Sequence, residues 1–222
     1  MRNDMAFAVL KSKQRALREG FPETMGLRVH RAISWVGRAE DCADDDDACF
    51  IFLWIAFNAA YADEHEFQAG SYSERAEFLG YFGRLVALDV DHRIYRALWQ
   101  RFSGPVRLLL ENRYVFNPFW QYHNGIDGFN DREDRFRSSA CAFAQAFRLG
   151  VSARVLSFVF DGLYVLRNQL VHGGSTWNSA ANRTQVRDGA AILGFLLPVF
   201  IDLMMDNSRE DWGRPFYPVV EG

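Results

Sequence analysis

The residues of this chain best suited to chemistry are Arg167 and His172, which lie close together near position 170. A histidine can accept and donate a proton close to neutral pH, which is what general acid–base catalysis requires. An arginine presents a planar set of N–H donors that can bind a phosphate group and stabilise negative charge. The two residues are therefore candidates for acid–base chemistry at a bound phosphate. The alternative is that basic side chains in the last turn of a helix are ordinary partners of the helix dipole.

Helical spacing predicts that these residues lie near the end of a helix over about 152–172. At 100° per residue, Tyr164, Asn168 and His172 form one column on the helix surface, and Arg167 lies beside it. Asp161 lies on the same side one turn before Tyr164, so both are predicted to be supporting residues. Glycine follows His172 directly, as is common just past the end of a helix. The sequence therefore predicts a polar surface at the last turn.

The opposite side of this helix carries an apolar stripe that predicts contact with the core. Phe160, Val165 and Val171 nevertheless fall on the polar side. A surface with so much apolar area is seldom left open to water. We expect it to be covered, either by another segment of this chain or by a second copy of the protein.

Helical periodicity recurs along the chain, whereas the alternation typical of strands is scarce. It predicts nine helices, at about 5–19, 24–39, 45–63, 73–88, 91–102, 105–113, 131–148, 152–172 and 184–206. The predicted fold class is all-α, a single multi-helix bundle over 1–222. We expect its core at about 45–206, extra helices before the core, and a C-terminal tail at 207–222.

The segment over 45–63 is apolar on all sides, as expected of a helix at the centre of a bundle. Asn58 and Tyr61 are its polar exceptions, and a buried polar group without a partner costs about 1–3 kcal/mol. We predict that they either tie helices together or support a polar site on a neighbouring helix.

Between about 112 and 130, one proline and two glycines interrupt the helical pattern and aromatic residues are frequent. This predicts an ordered insertion loop packed by its aromatic side chains. Arg113, Arg132 and Arg135 are the candidate RNA-binding residues, because the aromatic rings beside them can stack on unpaired bases. Packing of those rings over the core is the alternative role.

Composition limits the function further. The net charge of −3 and pI near 6.0 provide no overall positive field for nucleic acid, so any RNA contact must be local. The 3 cysteines lack the spacing of a zinc knuckle or a disulfide framework, and the acidic run over 44–47 is typical of a helix start. The apolar runs over 48–62 and 190–205 are shorter than the ~20 residues of a membrane span. We predict a cytoplasmic protein with no metal, no cofactor and no membrane contact.

The segment Arg167-Asn168-Gln169-Leu170-Val171-His172 resembles the hallmark of the HEPN superfamily, the higher-eukaryote and prokaryote nucleotide-binding helical domains. That hallmark is an arginine, a polar residue, three variable residues and a histidine near a helix end. The stretches LYVLRNQLVHGG and FLWIAFNAAY are also similar to bacterial members. The resemblance covers about 45–63 and 131–206 and implies an all-α bundle of the HEPN type.

The resemblance also implies a function. Many such proteins are metal-independent endoribonucleases of toxin–antitoxin or phage-defence systems. Arg167, Asn168 and His172 would then be the catalytic residues. His172 would move a proton at the ribose 2′-hydroxyl or the leaving oxygen, Arg167 would stabilise the transition state, and Asn168 would orient the phosphate or the histidine. The partners expected are RNA, a second copy bound through the motif helices, and an antitoxin protein. The alternatives are a dimer that binds RNA or nucleotides without cleavage, and a structural helical partner protein.

Overall fold

The computed structural model describes residues 6–61, 74–215 and 217, and these fold as an all-α bundle. Short 3-10 turns cover Arg18–Gly20 and Arg113–Val115, and a π-helical turn covers Ala97–Arg101. The α-helices are α1 (Ala6–Leu17), α2 (Glu23–Asp41), α3 (Asp46–Tyr61), α4 (Glu74–Leu88), α5 (Arg93–Arg96), α6 (Ser103–Leu110), α7 (Asn117–His123), α8 (Arg132–Arg148), α9 (Ser152–Val171) and α10 (Arg183–Asp206).

The predicted all-α fold is confirmed, and each predicted helix corresponds to a helical segment. The prediction of a loop throughout 112–130 is wrong in one respect, since this segment contains α7. The proline that interrupts the pattern, Pro118, lies in the first turn of α7, where its missing N–H costs nothing and its fixed φ favours a helix.

The core is built where α3, α4, α9 and α10 meet. Phe160 of α9 is fully buried, and its ring packs against Phe57 and Phe82 at centroid distances of 4.5 and 4.8 Å. Phe200 of α10 closes the cluster at 6.1 Å from Phe160. These contacts fix the first half of α9 in the bundle, so its C-terminal end is held in a defined position.

Gly189 of α10 allows close approach of α3 and α9. A Cβ at this position would lie 2.8 Å from side-chain atoms of both Leu163 and Phe50, closer than real Cβ contacts allow. The absence of a side chain therefore lets α3, α9 and α10 approach closely near the middle of α9.

The extra N-terminal helix α2 packs against α3, with Trp35 stacked on Phe52 at 5.7 Å, and α1 packs against α2 and α10. The C-terminal tail is held against α2 by Arg28, whose side chain is 1% exposed. The Arg28 guanidinium donates hydrogen bonds to the carbonyl oxygens of Gly213 and Arg214. The described part of the tail is thus docked on the bundle.

An ion-pair network joins α1, α5 and α10. The Lys13 ammonium lies 2.5 Å from Asp202 Oδ1, and the Arg93 guanidinium lies 2.6 Å from Asp202 Oδ2. Lys13 also pairs with Asp206 at 2.7 Å. Burial on its own raises the pKa of Asp202, but the hydrogen bonds from Lys13 and Arg93 outweigh it and lower that pKa.

Among the described residues, α10 is the helix with the length and hydropathy of a membrane span. A core helix of a folded bundle has the same properties, and 72% of the apolar part of α10 is buried here. α10 also contains Pro198 and carries Asp202.

Candidate active site

The three predicted catalytic residues lie at the C-terminal end of α9. The Arg167 guanidinium donates a hydrogen bond of 2.9 Å to the side-chain oxygen of Asn168. His172 is the C-cap residue, one turn after Asn168, and it is exposed, whereas Arg167 and Asn168 are half-buried. Because Asn168 and His172 share one side of the helix, the arginine is turned toward the side that carries the histidine.

The backbone after this turn closes in a Schellman motif. The N–H of Gly173 donates to the carbonyl of Leu170 at 3.4 Å, and the N–H of Gly174 donates to the carbonyl of Gln169 at 2.7 Å. Gly173 has φ of +70°, a left-handed conformation that strains any residue with a Cβ. The motif therefore fixes the chain at His172 and leaves its imidazole outside the helix.

Gln169, the third residue of the motif, points in another direction and ties α9 to its neighbours. Its amide nitrogen donates to the carbonyl oxygen of Tyr114 at 2.7 Å. Its amide oxygen accepts a hydrogen bond of 2.8 Å from Asn182, just before α10. Asn112 in turn donates to Asn182 at 3.4 Å. Sequence reasoning missed this role, although a glutamine on the side away from the Asn168–His172 column was a signal for it.

The acidic run over 44–47 holds the segment that follows the motif. Asp47 is buried, and both of its carboxylate oxygens accept hydrogen bonds from Arg183, at 2.6 and 2.8 Å. The backbone N–H of Asn178 donates to the same carboxylate at 2.7 Å. The segment between Gly173 and Asn182 is thereby fastened to the start of α3.

Asp45 supplies a second fastening. Its carboxylate accepts from the backbone N–H of Ala48 at 3.0 Å and from the indole N–H of Trp177 at 2.9 Å. The hydrogen bond from Ala48, followed by that from Trp177, lowers the pKa of Asp45. The predicted role of the acidic run as a helix start is confirmed for Asp45, because its side chain caps α3.

The apolar residues on the polar side of α9 are mostly covered within this chain. Phe160 is 0% exposed and Val165 is 5% exposed, while Val171 beside His172 is 48% exposed. The rings of α3, α4 and α10 cover Phe160. Other segments of this chain therefore cover the polar side of α9 at Phe160 and Val165. The surface at Val171, at the end of α9, is not covered.

Asp161 lines a small cavity rather than the surface next to His172. This cavity has a volume of about 40 Å³, enough for a water molecule and much smaller than a nucleotide site. Asn112 and Ser139 contribute its other polar groups. Asp161 precedes His172 by three helical turns, or about 16 Å, so the structure does not bring the two together.

The other predicted supporting residues also lie away from the histidine. The Tyr164 ring packs against Trp54 at 6.1 Å and is half-buried. Tyr61 stacks on Phe57 at 5.0 Å within the aromatic core. Phe57 contacts α9 twelve residues before His172, about 18 Å along the helix, and Asn58 follows it. Asn58 and Tyr61 therefore belong to the part of the bundle far from the motif.

The candidate RNA-binding arginines lie against the aromatic rings of their own segment. The guanidinium of Arg132 lies 3.4 Å from the centre of the Tyr122 ring. Arg113 lies 5.4 Å from the ring of Tyr114, and Arg135 pairs with Asp131 at 2.8 Å. Their guanidinium groups stabilise the segment through cation–π and ion-pair contacts, and the Arg132 contact covers one face of Tyr122.

Protein-family models, curated proteins and solved structures give no match to this chain. Within the described ranges, no three side chains of His, Cys, Asp or Glu are grouped so that they could hold a metal ion. An exposed imidazole can transfer protons, and a guanidinium on the same side can bind a phosphate that approaches from solvent.

Proposed function

We propose that this chain is a metal-independent endoribonuclease of the HEPN type, with Arg167, Asn168 and His172 at its active site. The observation that carries the proposal is the hydrogen bond from Arg167 to Asn168 on the side of α9 that ends in the exposed His172. Proton transfer and phosphate binding are thus supported by neighbouring groups on one short surface.

The reaction proposed is attack of a ribose 2′-hydroxyl on the adjacent phosphate. His172 removes the proton from the 2′-hydroxyl as the bond from its oxygen to phosphorus forms. The bond from phosphorus to the 5′-oxygen breaks, and that oxygen takes up a proton from water or from a second histidine. Arg167 stabilises the added negative charge at phosphorus. The products are a 2′,3′-cyclic phosphate and a 5′-hydroxyl.

A second copy of the chain fits this scheme. The end of α9 is an open surface, with Val171 48% exposed beside His172. Two such surfaces related by a two-fold axis would bring two arginines and two histidines together. One histidine could then act as the base and the other as the acid. We therefore include a homodimer through the ends of the α9 helices in the proposal.

The test is incubation of the purified chain with a folded RNA such as tRNA in excess EDTA. We expect wild type to cleave, and the cleavage rate to fall about 10²–10⁴-fold in His172→Ala. Arg167→Ala should lower the rate about 10²–10³-fold. Matched controls are His123→Ala, an exposed histidine on α7, and Arg187→Ala, an exposed arginine on α10. Both controls should cleave at the wild-type rate.

The products and the binding affinity separate the alternatives. Cyclic phosphate ends, identified by their resistance to direct 3′-end ligation, support the proposed step. Equal cleavage by wild type and His172→Ala would exclude this site as the catalyst. Binding without cleavage, lost in Arg167→Ala, would instead favour an RNA-binding protein. The absence of both binding and cleavage would favour a structural partner protein.

A further inference from the structure

Four exposed arginines surround the other end of α9, where α8 turns into it. Arg148 is the last residue of α8, and Arg154 lies in the first turn of α9. Arg96 and Arg107 come from α5 and α6, which pack beside this turn. All four side chains are exposed. We refer to Arg96, Arg107, Arg148 and Arg154 as the arginine corner.

The stretches of chain around the four arginines contain no acidic residue. No Asp or Glu occurs between positions 92 and 110 or between 135 and 160, although the chain has 28 acidic residues in all. Within the residues described by the structure, none of the four arginines forms an ion pair with a carboxylate. The corner is therefore a local positive surface on a protein of net negative charge.

Stacked rings hold the arginine corner in place. Tyr95 stacks on Trp99 at 4.5 Å, and Trp99 stacks on Phe147 at 4.9 Å. The indole N–H of Trp99 donates to the carbonyl of Phe147 at 2.9 Å. Arg107 lies 4.9 Å from the centre of the Phe147 ring. The backbone segments that carry Arg96, Arg107 and Arg148 are thus joined by an aromatic stack.

We propose that the arginine corner binds the phosphate backbone of the RNA substrate, as a second binding surface distant from the cleavage site. The inference rests on the proposed ribonuclease function. Arg154 and His172 are separated by eighteen residues of one helix, about 27 Å along its axis. An RNA that contacts both ends of α9 must span this distance, so the substrate class is long or folded RNA rather than short oligonucleotides.

Phosphodiester groups suit this surface better than a lipid membrane does. The guanidinium group of arginine can donate two parallel hydrogen bonds to phosphate oxygens. Contacts to phosphate groups also provide most of the affinity of proteins for nucleic acid. A membrane-binding surface needs a broad apolar face beside its positive charges. Four exposed apolar side chains border the corner: Tyr95 next to Arg96, Leu108 next to Arg107, and Leu149 and Val151 on the turn between α8 and α9. They come from three separate segments and do not form the apolar face of one amphipathic helix, which is the usual form of a membrane-surface site.

The test compares two variants with equal changes in charge. One replaces the four arginines of the corner with glutamine. The control replaces four exposed arginines elsewhere, Arg15, Arg18, Arg187 and Arg209, with glutamine. Affinity for tRNA is measured between 50 and 300 mM salt with the His172→Ala substitution present in every protein. We expect the corner variant to bind about 10-fold more weakly or worse, and its salt slope to fall by about 3.

Loss of folding is controlled by a smaller variant. Arg148→Gln with Arg154→Gln leaves the Arg107 contact with Phe147 intact, and it should lower the salt slope by about half as much. Equal binding by the corner variant, the control and the parent would overturn the proposal, as would wild-type binding to phosphatidylserine vesicles in preference to tRNA. Cleavage assays with His172 restored separate this proposal from the proposed ribonuclease function. If cleavage requires His172 but the corner variant binds and cleaves RNA like the control, the ribonuclease proposal holds and the corner proposal fails. If RNA binding depends on the corner but wild type does not cleave RNA, the corner proposal holds and the ribonuclease proposal fails.

Discussion

Replacement of Asp47 by alanine tests whether the acidic run fastens the segment that follows the motif. The carboxylate is buried and accepts three hydrogen bonds, two from Arg183 and one from Asn178. Loss of a hydrogen bond to a charged group costs about 1.5–3 kcal/mol, and removal of one partner from a fully buried ion pair costs about 3–5 kcal/mol. The Arg183 side chain is 29% exposed and can regain water, so the cost falls below that upper range. We expect Asp47→Ala to lower the free energy of unfolding by about 2–3 kcal/mol.

The assay is urea unfolding followed by circular dichroism, with Asp44→Ala as the matched control. Asp44 belongs to the same acidic run but is exposed, so its replacement should change the free energy of unfolding by less than about 0.5 kcal/mol. In a double-mutant cycle, Arg183→Met should cost much less in the Asp47→Ala background than in wild type. Hydrogen exchange should also rise in the segment over 173–182. If Asp47→Ala is as stable as Asp44→Ala, the fastening contributes nothing and the reasoning is wrong.

Two further predictions concern the core and the response to acid. Gly189→Ala should lower the free energy of unfolding by about 1–3 kcal/mol, because its Cβ would overlap Leu163 and Phe50, whereas Gly83→Ala in α4 meets no atom within 4 Å and should raise it by about 0.5–1 kcal/mol. Thermal unfolding measures both, and equal effects would contradict the packing argument. The pKa of Asp202 is lower in the folded state than in the unfolded chain, so the stability it provides is present above about pH 4 and is lost as the pH falls further. The difference in stability between wild type and Asp202→Asn should therefore shrink below pH 4, and a difference that stays constant from pH 2 to pH 7 would refute this.

The helices could be predicted from the sequence because their signals are local. Apolar spacing, the glycines after His172 and the aspartates before α3 each act within a few residues of the helix they define. The helix α7 was not predicted because a proline interrupts a helix at an interior position but is accepted in its first turn, where Pro118 lies. The position of the proline within the helix depends on where the helix begins, and the proline alone does not determine that.

The site could be predicted only in part, because its neighbours come from distant parts of the chain. Arg167, Asn168 and His172 follow from one helix and its periodicity. The partners of Gln169 depend on how the chain returns at positions 114 and 182, and no local pattern encodes that. For the same reason the sequence places Asn58 near the C-terminal end of the central helix but does not show that this end lies far from His172.

The motif divides two tasks among adjacent residues of one helical turn. Gln169 faces the bundle and is bonded on both sides, so the backbone at the end of α9 cannot shift without loss of those bonds. His172 is exposed and Arg167 is half-buried, and within the described structure neither side chain has such ties to another helix. In the proposed ribonuclease, a fixed backbone under these side chains is needed, because a displacement of the imidazole by about 1 Å would impair proton transfer. Gln169→Leu should therefore impair cleavage through the position of His172 while RNA binding at the arginine corner is retained.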